Sequence, residues 1–272
     1  MRIRSGHLHV LSTTPASGKT VVTTGLIRGV RNAHHRVLPF KPVSETLLIE
    51  GGPARPEAIE HQCFAAGVPF QPEMAPVRTV VVGREADVWL FDQYVGRVPR
   101  LGRDMPALGT LPLLERDAIS DAVDGCRRAL LEDCDLLVSE GSGAATALTE
   151  LGLVDIANIQ TGVLADDVLV VARASNGTAF TTVDRVMGVL RERFVNVTGF
   201  LLNDVPGCLD QHVEAGMDAA NRNSVEFVGV MPWTDFFDNR PRYRPPSQGC
   251  DEDHQHLANL VGSLVRIGTT LG

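Results

Sequence analysis

The sequence lacks the features that mark membrane, secreted and nucleic-acid-binding proteins. Its longest apolar runs, such as VVVG at 80–83 and DVLVVA at 167–172, are too short to cross a bilayer. It has no basic cluster and a formal net charge of −8, so we expect neither nucleic acid nor an anionic membrane as its partner. The opening segment MRIRSGHLHVLS has only a brief apolar run, and we interpret it as a first strand rather than a signal peptide.

Cysteine is sparse and has no recognisable spacing. The five cysteines are an odd number and include no C-x-x-C pair, which argues against a disulfide framework and against a zinc site. A reducing cytoplasm is therefore the simplest compartment, and we expect most of the thiols to pack as small apolar side chains. The eight histidines show no ligand spacing, and we assign them to surface or packing positions.

One short segment carries a recognisable chemistry. Residues 12–20 read STTPASGKT, with an apolar strand before them and a helical pattern after them. Backbone N–H groups at a helix N-terminus bind phosphate oxygens; in a P-loop the lysine reaches the β- and γ-phosphates, and the next hydroxyl binds Mg²⁺. We therefore predict nucleotide binding by Ser17, Gly18, Lys19 and Thr20. The first glycine of the usual pattern is replaced by Thr13.

Apolar strands alternate with helical segments along most of the chain. The predicted strands are 7–12, 36–40, 135–140, 167–172, 197–203 and 226–232. This alternation, in a chain of 272 residues with 44% hydrophobic content, predicts an α/β fold with a large core. We expect a P-loop NTPase-like, doubly wound, mainly parallel sheet with helices on both faces, and the strand at 36–40 beside the P-loop strand.

Two regions depart from this alternation. PVRTVVVG and ADVWLFDQYVG predict a small β-rich insertion with a hairpin, within one domain. The segment 238–255 is rich in proline and charge and predicts a surface loop before a last helix. We divide the chain into a P-loop domain at 1–235 and a loop with a C-terminal helix at 236–272, packed on the same domain.

The P-loop resembles that of a known family. Dethiobiotin synthetases and the synthetase domains of cobyric acid and cobyrinic acid a,c-diamide synthases carry loops of the form G-T-x-[TS]-x-x-G-K-[TS]. The match falls on Thr13, Gly18, Lys19 and Thr20. A threonine at the position of the missing glycine is thus typical of this family.

Two further segments resemble the family in the same order. FKPVSE at 40–45 is similar to the KPV of dethiobiotin synthetase, whose lysine contacts the reacting group and the terminal phosphate, and this assigns a catalytic role to Lys41 beside Lys19. PEAIEHQCFAAGVPFQPEMAPV at 56–77 resembles a cobyric acid synthase segment with a metal-binding acid, which assigns Glu57 to Mg²⁺. The alternatives are a surface lysine at a strand end, and an acid that favours the dipole of its helix.

Three later segments extend the resemblance. DLLVSEGSG at 135–143 is similar to a family strand followed by EGAG, which implies Glu140 as a second Mg²⁺ ligand and Gly141 and Gly143 as close-approach glycines. Independently, Glu140 ends an apolar strand, where α/β folds bind ligands; the alternative is a solvated loop acid. The strand ending at Asn203 resembles one whose asparagine reads adenine, the alternative being a turn-forming asparagine. VGVMPW resembles the next strand and its proline loop, at Pro232.

The sequence also departs from this family. Ala16 stands where the relatives have an acid, and Ser12 replaces the glycine that opens their loop. The segments VSETLLIEGG and RASNGT differ from their cobyric acid synthase counterparts, and we expect no glutaminase domain of the kind that those synthases carry. We therefore expect a substrate other than the two corrinoid acids.

The resemblance implies an ATP- and Mg²⁺-dependent synthetase that phosphorylates a carboxylate or carbamate and forms an amide or a cyclic urea. It implies a small carboxylate or diamino acid substrate, a homodimer and, as one option, a separate ammonia-supplying partner. The alternatives are dethiobiotin synthetase itself, a non-synthetic ATPase switch and an inactive scaffold. Switches of the septum-site type carry a second lysine early in the P-loop, and residues 12–17 contain none.

Overall fold

The computed structural model describes residues 2–3, 6–101, 105–174, 178–205, 209–232, 250–264 and 266–267. The strands are β1 (Arg2–Ile3), β2 (Gly6–Ser12), β3 (Val37–Phe40), β4 (Val43–Thr46), β5 (Leu48–Ile49), β6 (Gly52–Pro53), β7 (Val77–Val82), β8 (Glu85–Leu90), β9 (Gln93–Pro99), β10 (Leu136–Glu140), β11 (Asp167–Arg173), β12 (Val197–Val205), β13 (Glu226–Pro232) and β14 (Arg266–Ile267). The helices are α1 (Lys19–Asn32), α2 (Glu57–Ala66), α3 (Leu113–Glu132), α4 (Ala147–Glu150), α5 (Thr161–Val163), α6 (Ala179–Glu192), α7 (Leu209–Asn223) and α8 (Cys250–Gly262).

The central sheet has six parallel strands in the order β13-β12-β11-β2-β10-β3. The P-loop strand β2 therefore lies between β10 and β11, and the expectation that β3 would be its neighbour was wrong. Strand β10 occupies that position because it hydrogen-bonds to β2 on one side and to β3 on the other. The carboxyl ends of β2, β10 and β3 consequently meet at one edge, where open α/β sheets bind ligands.

Helices cover both faces of this sheet, as the apolar strands require. Along β11, Leu169 and Val171 join the core that contains α1 and α8, whereas Val168 and Val170 join the core that contains α6. The alternation follows from the two-residue period of a strand. The predicted α/β fold, with a P-loop NTPase-like, mainly parallel sheet and a single domain, is confirmed.

The predicted β-rich insertion is a separate four-stranded sheet. Its order is β4-β7-β8-β9, with β4 parallel to β7 and the other pairs antiparallel. The strands β8 and β9 form the hairpin expected from ADVWLFDQYVG. This sheet follows β3 directly, so it lies on the same side of the molecule as the carboxyl end of β3.

The C-terminal helix begins earlier than predicted. Residues 250–255, which we expected in a surface loop, form the first turns of α8; the rest of that expected loop lies outside the described residues. Leu257 and Val261 are buried against α1, and a Cβ atom at Gly25 would lie only 2.8 Å from the carbonyl oxygen of Leu257. Apolar burial along the helix therefore outweighs the charged composition of its first turn.

Two expectations about composition can be compared with the described residues. Cys63, Cys126, Cys134 and Cys250 are free thiols, and Cys63, Cys126 and Cys250 are buried, as small apolar side chains would be. Cys208 lies outside the described part of the chain. Among the helices that the structure describes, none combines the length and the hydropathy needed to cross a membrane.

Candidate nucleotide site

The P-loop connects the buried end of β2 to the start of α1. Gly18 caps α1 with a φ of 87°, a left-handed conformation that glycine adopts without steric cost. A Cβ atom at Gly18 would also lie 2.0 Å from Nδ2 of Asn203. Glycine is thus required here by both the backbone and the neighbouring strand.

Asn203, at the end of β12, braces this loop. Its Nδ2 donates a 2.9 Å hydrogen bond to the carbonyl oxygen of Ser17, and its side chain is buried. The sequence predicted adenine recognition for Asn203, and that role stays a prediction. Pro232 ends β13 beside Val205 and is exposed, so it lies on the same strand-end edge.

The P-loop lysine lies across the mouth of the loop. Nζ of Lys19 donates to Oγ of Ser12 at 2.8 Å and to the carbonyl oxygen of Gly143 at 2.7 Å. The Ser12 hydroxyl in turn donates to the carbonyl of Thr14 at 2.9 Å. In the sequence Ser12 stood out only as a departure from the family, but it accepts a hydrogen bond from Lys19, the predicted phosphate-binding lysine.

Bonds to backbone carbonyl groups hold the remaining loop positions. The N–H of Thr13 donates to the carbonyl of Val171 at 3.0 Å, which ties the loop to β11. Oγ of Ser17 donates to the carbonyl of Thr14 at 2.7 Å. Ala16 is exposed and has a φ of 57°, an unfavourable conformation for a residue with a Cβ atom. The family's acid would therefore project from an exposed, left-handed position of the loop.

Four side chains from separate segments form what we call the Glu140 cluster: Thr20, Lys41, Gln62 and Glu140. Oε1 of Glu140 accepts from Oγ1 of Thr20 at 2.8 Å and from Nζ of Lys41 at 2.6 Å. Its Oε2 accepts from Nε2 of Gln62 at 2.6 Å. The structure thus brings together the predicted Thr20, Lys41 and Glu140 at the carboxyl edge of the sheet.

Glu140 is held in its charged form by this cluster. Its side chain is 2% exposed. Burial acts to raise the pKa of Glu140, but the positive charges of Lys41 and Lys19 and the hydrogen bonds from Lys41 and Thr20 outweigh it, so the pKa lies below its ordinary value. Glu140 therefore carries a buried negative charge that a cation can share.

Gln62 is a member of the cluster that sequence reasoning missed. It is fully buried on α2, five residues after Glu57, which was the predicted metal ligand of this helix. Oε1 of Glu57 lies 4.0 Å from Nε2 of His61, and its role as a metal ligand stays a prediction. In the sequence, Gln62 could have been noticed as a polar residue directly before the apolar stretch CFAA.

Gly141 packs closely against a neighbouring side chain, whereas the close approach of a nucleotide that the resemblance implies for Gly141 and Gly143 stays a prediction. A Cβ atom at Gly141 would lie 2.1 Å from Oδ1 of Asn158. Gly143 has a φ of 59° and supplies the carbonyl oxygen that Lys19 contacts. Between them, the backbone of Ser142 donates to Oδ1 of Asn158 at 3.0 Å and accepts from its Nδ2 at 2.8 Å.

The oxygen donors of the site fit a small hard cation. Mg²⁺ prefers oxygen ligands and keeps several waters, so a hydroxyl and a carboxylate in contact are a suitable pair. Oγ1 of Thr20 and the carboxylate of Glu140 are such a pair. Lys41 contacts the same carboxylate oxygen, so a metal ion and this lysine would share Glu140.

A comparison with known families shows which family of domains contains this site. The family model described as the CobQ/CobB/MinD/ParA nucleotide binding domain matches residues 8–244. The chain belongs to this family. Its P-loop, its parallel sheet and the Glu140 cluster therefore lie in a nucleotide-binding domain.

Named relatives of this CobQ/CobB/MinD/ParA domain point to synthases. A probable cobyric acid synthase from Methanococcoides burtonii is 29% identical over 239 residues, covering 84% of this chain and 45% of the relative. A cobyric acid synthase from Synechococcus sp. is 27% identical over 237 residues, with 84% and 45% covered. The chain thus spans slightly less than half the length of these relatives.

Solved structures give the fold of the family. The MinD cell division protein of Aquifex aeolicus superimposes with a TM-score of 0.51 at 15% sequence identity, covering 96% of this chain and 97% of that one. At this identity the likeness concerns the architecture alone. It agrees with the six-stranded parallel sheet described above.

Proposed function

We propose that the chain is an ATP- and Mg²⁺-dependent synthetase that phosphorylates a carboxylate or carbamate and forms a C–N bond. The observation that carries this proposal is the position of Lys41. Its Nζ lies 2.6 Å from Glu140, whose carboxylate also contacts the P-loop hydroxyl of Thr20. A second lysine therefore stands beside the phosphate loop, on the side where an anionic acceptor would approach.

The geometry supports a division of labour between the two lysines. Lys19, bridging the P-loop and Gly143, would bind the β- and γ-phosphates together with the loop N–H groups. Lys41 would orient the acceptor oxygen and stabilise negative charge as two anionic groups meet. Mg²⁺, held by Thr20 and Glu140, would neutralise further phosphate charge when bound.

Three observations favour this function over the alternatives. A non-synthetic ATPase switch is suggested by the MinD-like fold, but residues 12–17 lack the additional lysine of those switches. An inactive scaffold is suggested by Ala16, yet Lys19, Thr20 and Glu140 remain in contact with the loop. Dethiobiotin synthetase proper is favoured by the KPV segment, whereas the relatives described above are cobyric acid synthases.

The same proposal includes features that go beyond the site. We propose a small carboxylate or diamino acid as substrate, ammonia as a nitrogen source, either free or supplied by a partner, and a homodimer in the cytoplasm. Light scattering at micromolar concentration tests the dimer, and a monomer would contradict it.

The test of the synthetase reaction uses ATP, Mg²⁺ and a panel of small carboxylic and diamino acids. Ammonium chloride, glutamine or hydroxylamine is supplied as the nitrogen nucleophile. We expect phosphate release that depends on one class of acid, together with a hydroxamate when hydroxylamine is present, because hydroxylamine traps an acyl phosphate. Phosphate release at the same rate without any acid would favour the switch, and the absence of both release and nucleotide binding would favour the scaffold.

A further inference from the structure

A small pocket is lined in part by the start of β4 and by the loop that follows β10. Its cavity volume is ≈ 10 Å³, and its lining includes Val43, Ser142, Leu148, Val154, Asp155 and Asn158. About one water-sized molecule fits such a space. The pocket is therefore too small for the acid substrate of a synthetase, but it suits a molecule of the size of ammonia.

The pocket is attached to both chain segments that carry the proposed chemistry. Oγ of Ser142 donates a 2.6 Å hydrogen bond to the carbonyl oxygen of Val43. Ser142 follows Glu140 by two residues, and Val43 follows Lys41 by two residues. The pocket therefore adjoins the two chain segments that carry Glu140 and Lys41.

Asp155 is the residue that gives this pocket its chemistry. It is 4% exposed, and it accepts hydrogen bonds from N and Nδ2 of Asn158, both at 2.9 Å. A carboxylate has about four acceptor positions, so acceptor capacity remains after the bonds from Asn158 and Ala157, and Asp155 lines the pocket. The other described lining residues are apolar, apart from the neutral Ser142 and Asn158.

A carboxylate in such surroundings favours a small cation. A buried charge is costly unless it is paired, and burial raises the pKa of Asp155 to about 6 against hydrogen bonds from Asn158 and Ala157, which act to lower it. Asp155 can therefore hold a positive charge next to it and accept a proton near neutral pH. A larger alkylammonium ion would not fit the volume available.

We propose that this pocket binds ammonium as the nitrogen source and that Asp155 accepts its proton. This inference rests on the proposed synthetase function. One proton passes from ammonium to the Asp155 carboxylate and leaves neutral ammonia. The nitrogen lone pair attacks the carbonyl carbon of the acyl phosphate, the C–O bond to phosphate breaks, and phosphate leaves with the bonding electrons. The new amide nitrogen loses a proton to the departing phosphate.

The first test needs no acid substrate. Wild-type protein with carbon-13 in its aspartate carboxyl groups is titrated at neutral pH with ammonium chloride, and the resonance of Asp155 is followed by NMR. We expect a saturable shift in the millimolar range. Tetramethylammonium chloride at equal ionic strength is the matched control and should give no such shift, because that ion exceeds the pocket. Equal responses to both salts, or no response to either, would overturn the ammonium site.

The second test separates this inference from the synthetase function. Asp155→Asn retains an oxygen that can cap Asn158 but cannot accept a proton from ammonium. We expect its KM for ammonium to rise by about 10- to 100-fold, the effect of losing a charged hydrogen bond. Turnover with hydroxylamine, which is largely unprotonated at neutral pH, should stay within a few-fold of the wild-type value.

The two tests distinguish a failure of the ammonium site from a failure of the synthetase function. Hydroxamate formation with an unchanged ammonium KM in Asp155→Asn would remove the ammonium site and leave the synthetase standing. Failure of the wild type to form a hydroxamate with any acid would remove the synthetase, and the titration would still decide whether ammonium binds. If Asp155→Asn does not fold, the wild-type titration alone decides.

Discussion

The P-loop and the Glu140 cluster meet at Thr20, but they hold their geometry in different ways. The loop is one continuous segment, and its contacts end largely on backbone carbonyl groups, such as the bonds from the N–H of Thr13 to Val171 and from Oγ of Ser17 to Thr14. The cluster is assembled from four segments, and its contacts run between side chains. A substitution in the cluster therefore removes one of the bonds of Glu140 directly.

Lys41→Ala gives the largest expected effect, because it removes a charged donor that would act only as the phosphoryl group is transferred. Substrate-dependent turnover should fall by about 10²- to 10³-fold, or about 2.7–4 kcal/mol. ATP affinity, measured by calorimetry, should stay within a few-fold, since Lys19 and the loop remain. Arg36→Ala is the matched control: this arginine is 63% exposed at the other end of β3. Full turnover by Lys41→Ala would contradict the catalytic role proposed for Lys41.

Glu140→Gln should destabilise the protein by about 3 kcal/mol at neutral pH, since it leaves two lysines without their buried carboxylate. The pKa of Glu140 is lower in the folded protein than its ordinary value. Its negative charge therefore stabilises the fold at a pH above the pKa that Glu140 has in the unfolded chain. That contribution is lost as the pH falls through the lowered pKa. Denaturant unfolding should therefore show the difference between wild type and variant shrinking below the ordinary pKa of glutamate. A difference independent of pH would mean that the carboxylate is not paired as described.

Lys19→Ala tests the loop itself. Loss of one charged hydrogen-bond donor should weaken ATP binding by about 10- to 100-fold. The fold should persist, because the bonds of Thr13 and Ser17 to their neighbours do not involve this side chain. Calorimetry compares the ATP affinity of the variant with that of the wild type. An unchanged affinity would mean that the P-loop does not bind the nucleotide.

Asn203→Ala should have the smallest effect, about 1 kcal/mol of stability for one buried hydrogen bond to Ser17. If Asn203 also reads adenine, ATP should lose more affinity than GTP. Competition binding with the two nucleotides measures this directly. Equal losses would restrict Asn203 to bracing the loop.

The sequence predicted the contiguous parts of this site better than the assembled parts. The loop from Thr13 to Thr20 could be predicted because strand, loop and helix are neighbours in the chain. Gln62 could not, since its partner Glu140 lies 78 residues away. Asp155 and Asn158 were missed for a similar reason. Asp155 bonds to Asn158, and Asn158 bonds to the backbone of Ser142 in the loop after β10, which only folding brings close to it.

The strand order shows the same limit. Apolar runs predict that strands exist and lie parallel, but they carry no information on which strand lies beside β2. The insertion of β10 between β2 and β3 brings Glu140 within reach of Lys41. Resemblance alone points to Lys41 in the sequence, because a lysine after a strand has no local signature of catalysis.

The most direct test of the synthetase proposal follows the oxygen that reaches inorganic phosphate. The acids of the panel are prepared with oxygen-18 in the carboxylate, and phosphate released from ATP by the wild-type protein is analysed by mass spectrometry. Phosphorylation of the carboxylate predicts one labelled oxygen in each phosphate, because the C–O bond of the acyl phosphate breaks when nitrogen attacks. Phosphate that takes its oxygen from water with every acid tested, at a rate that does not depend on acid or on added bicarbonate, would contradict the account and identify the chain as a hydrolytic ATPase.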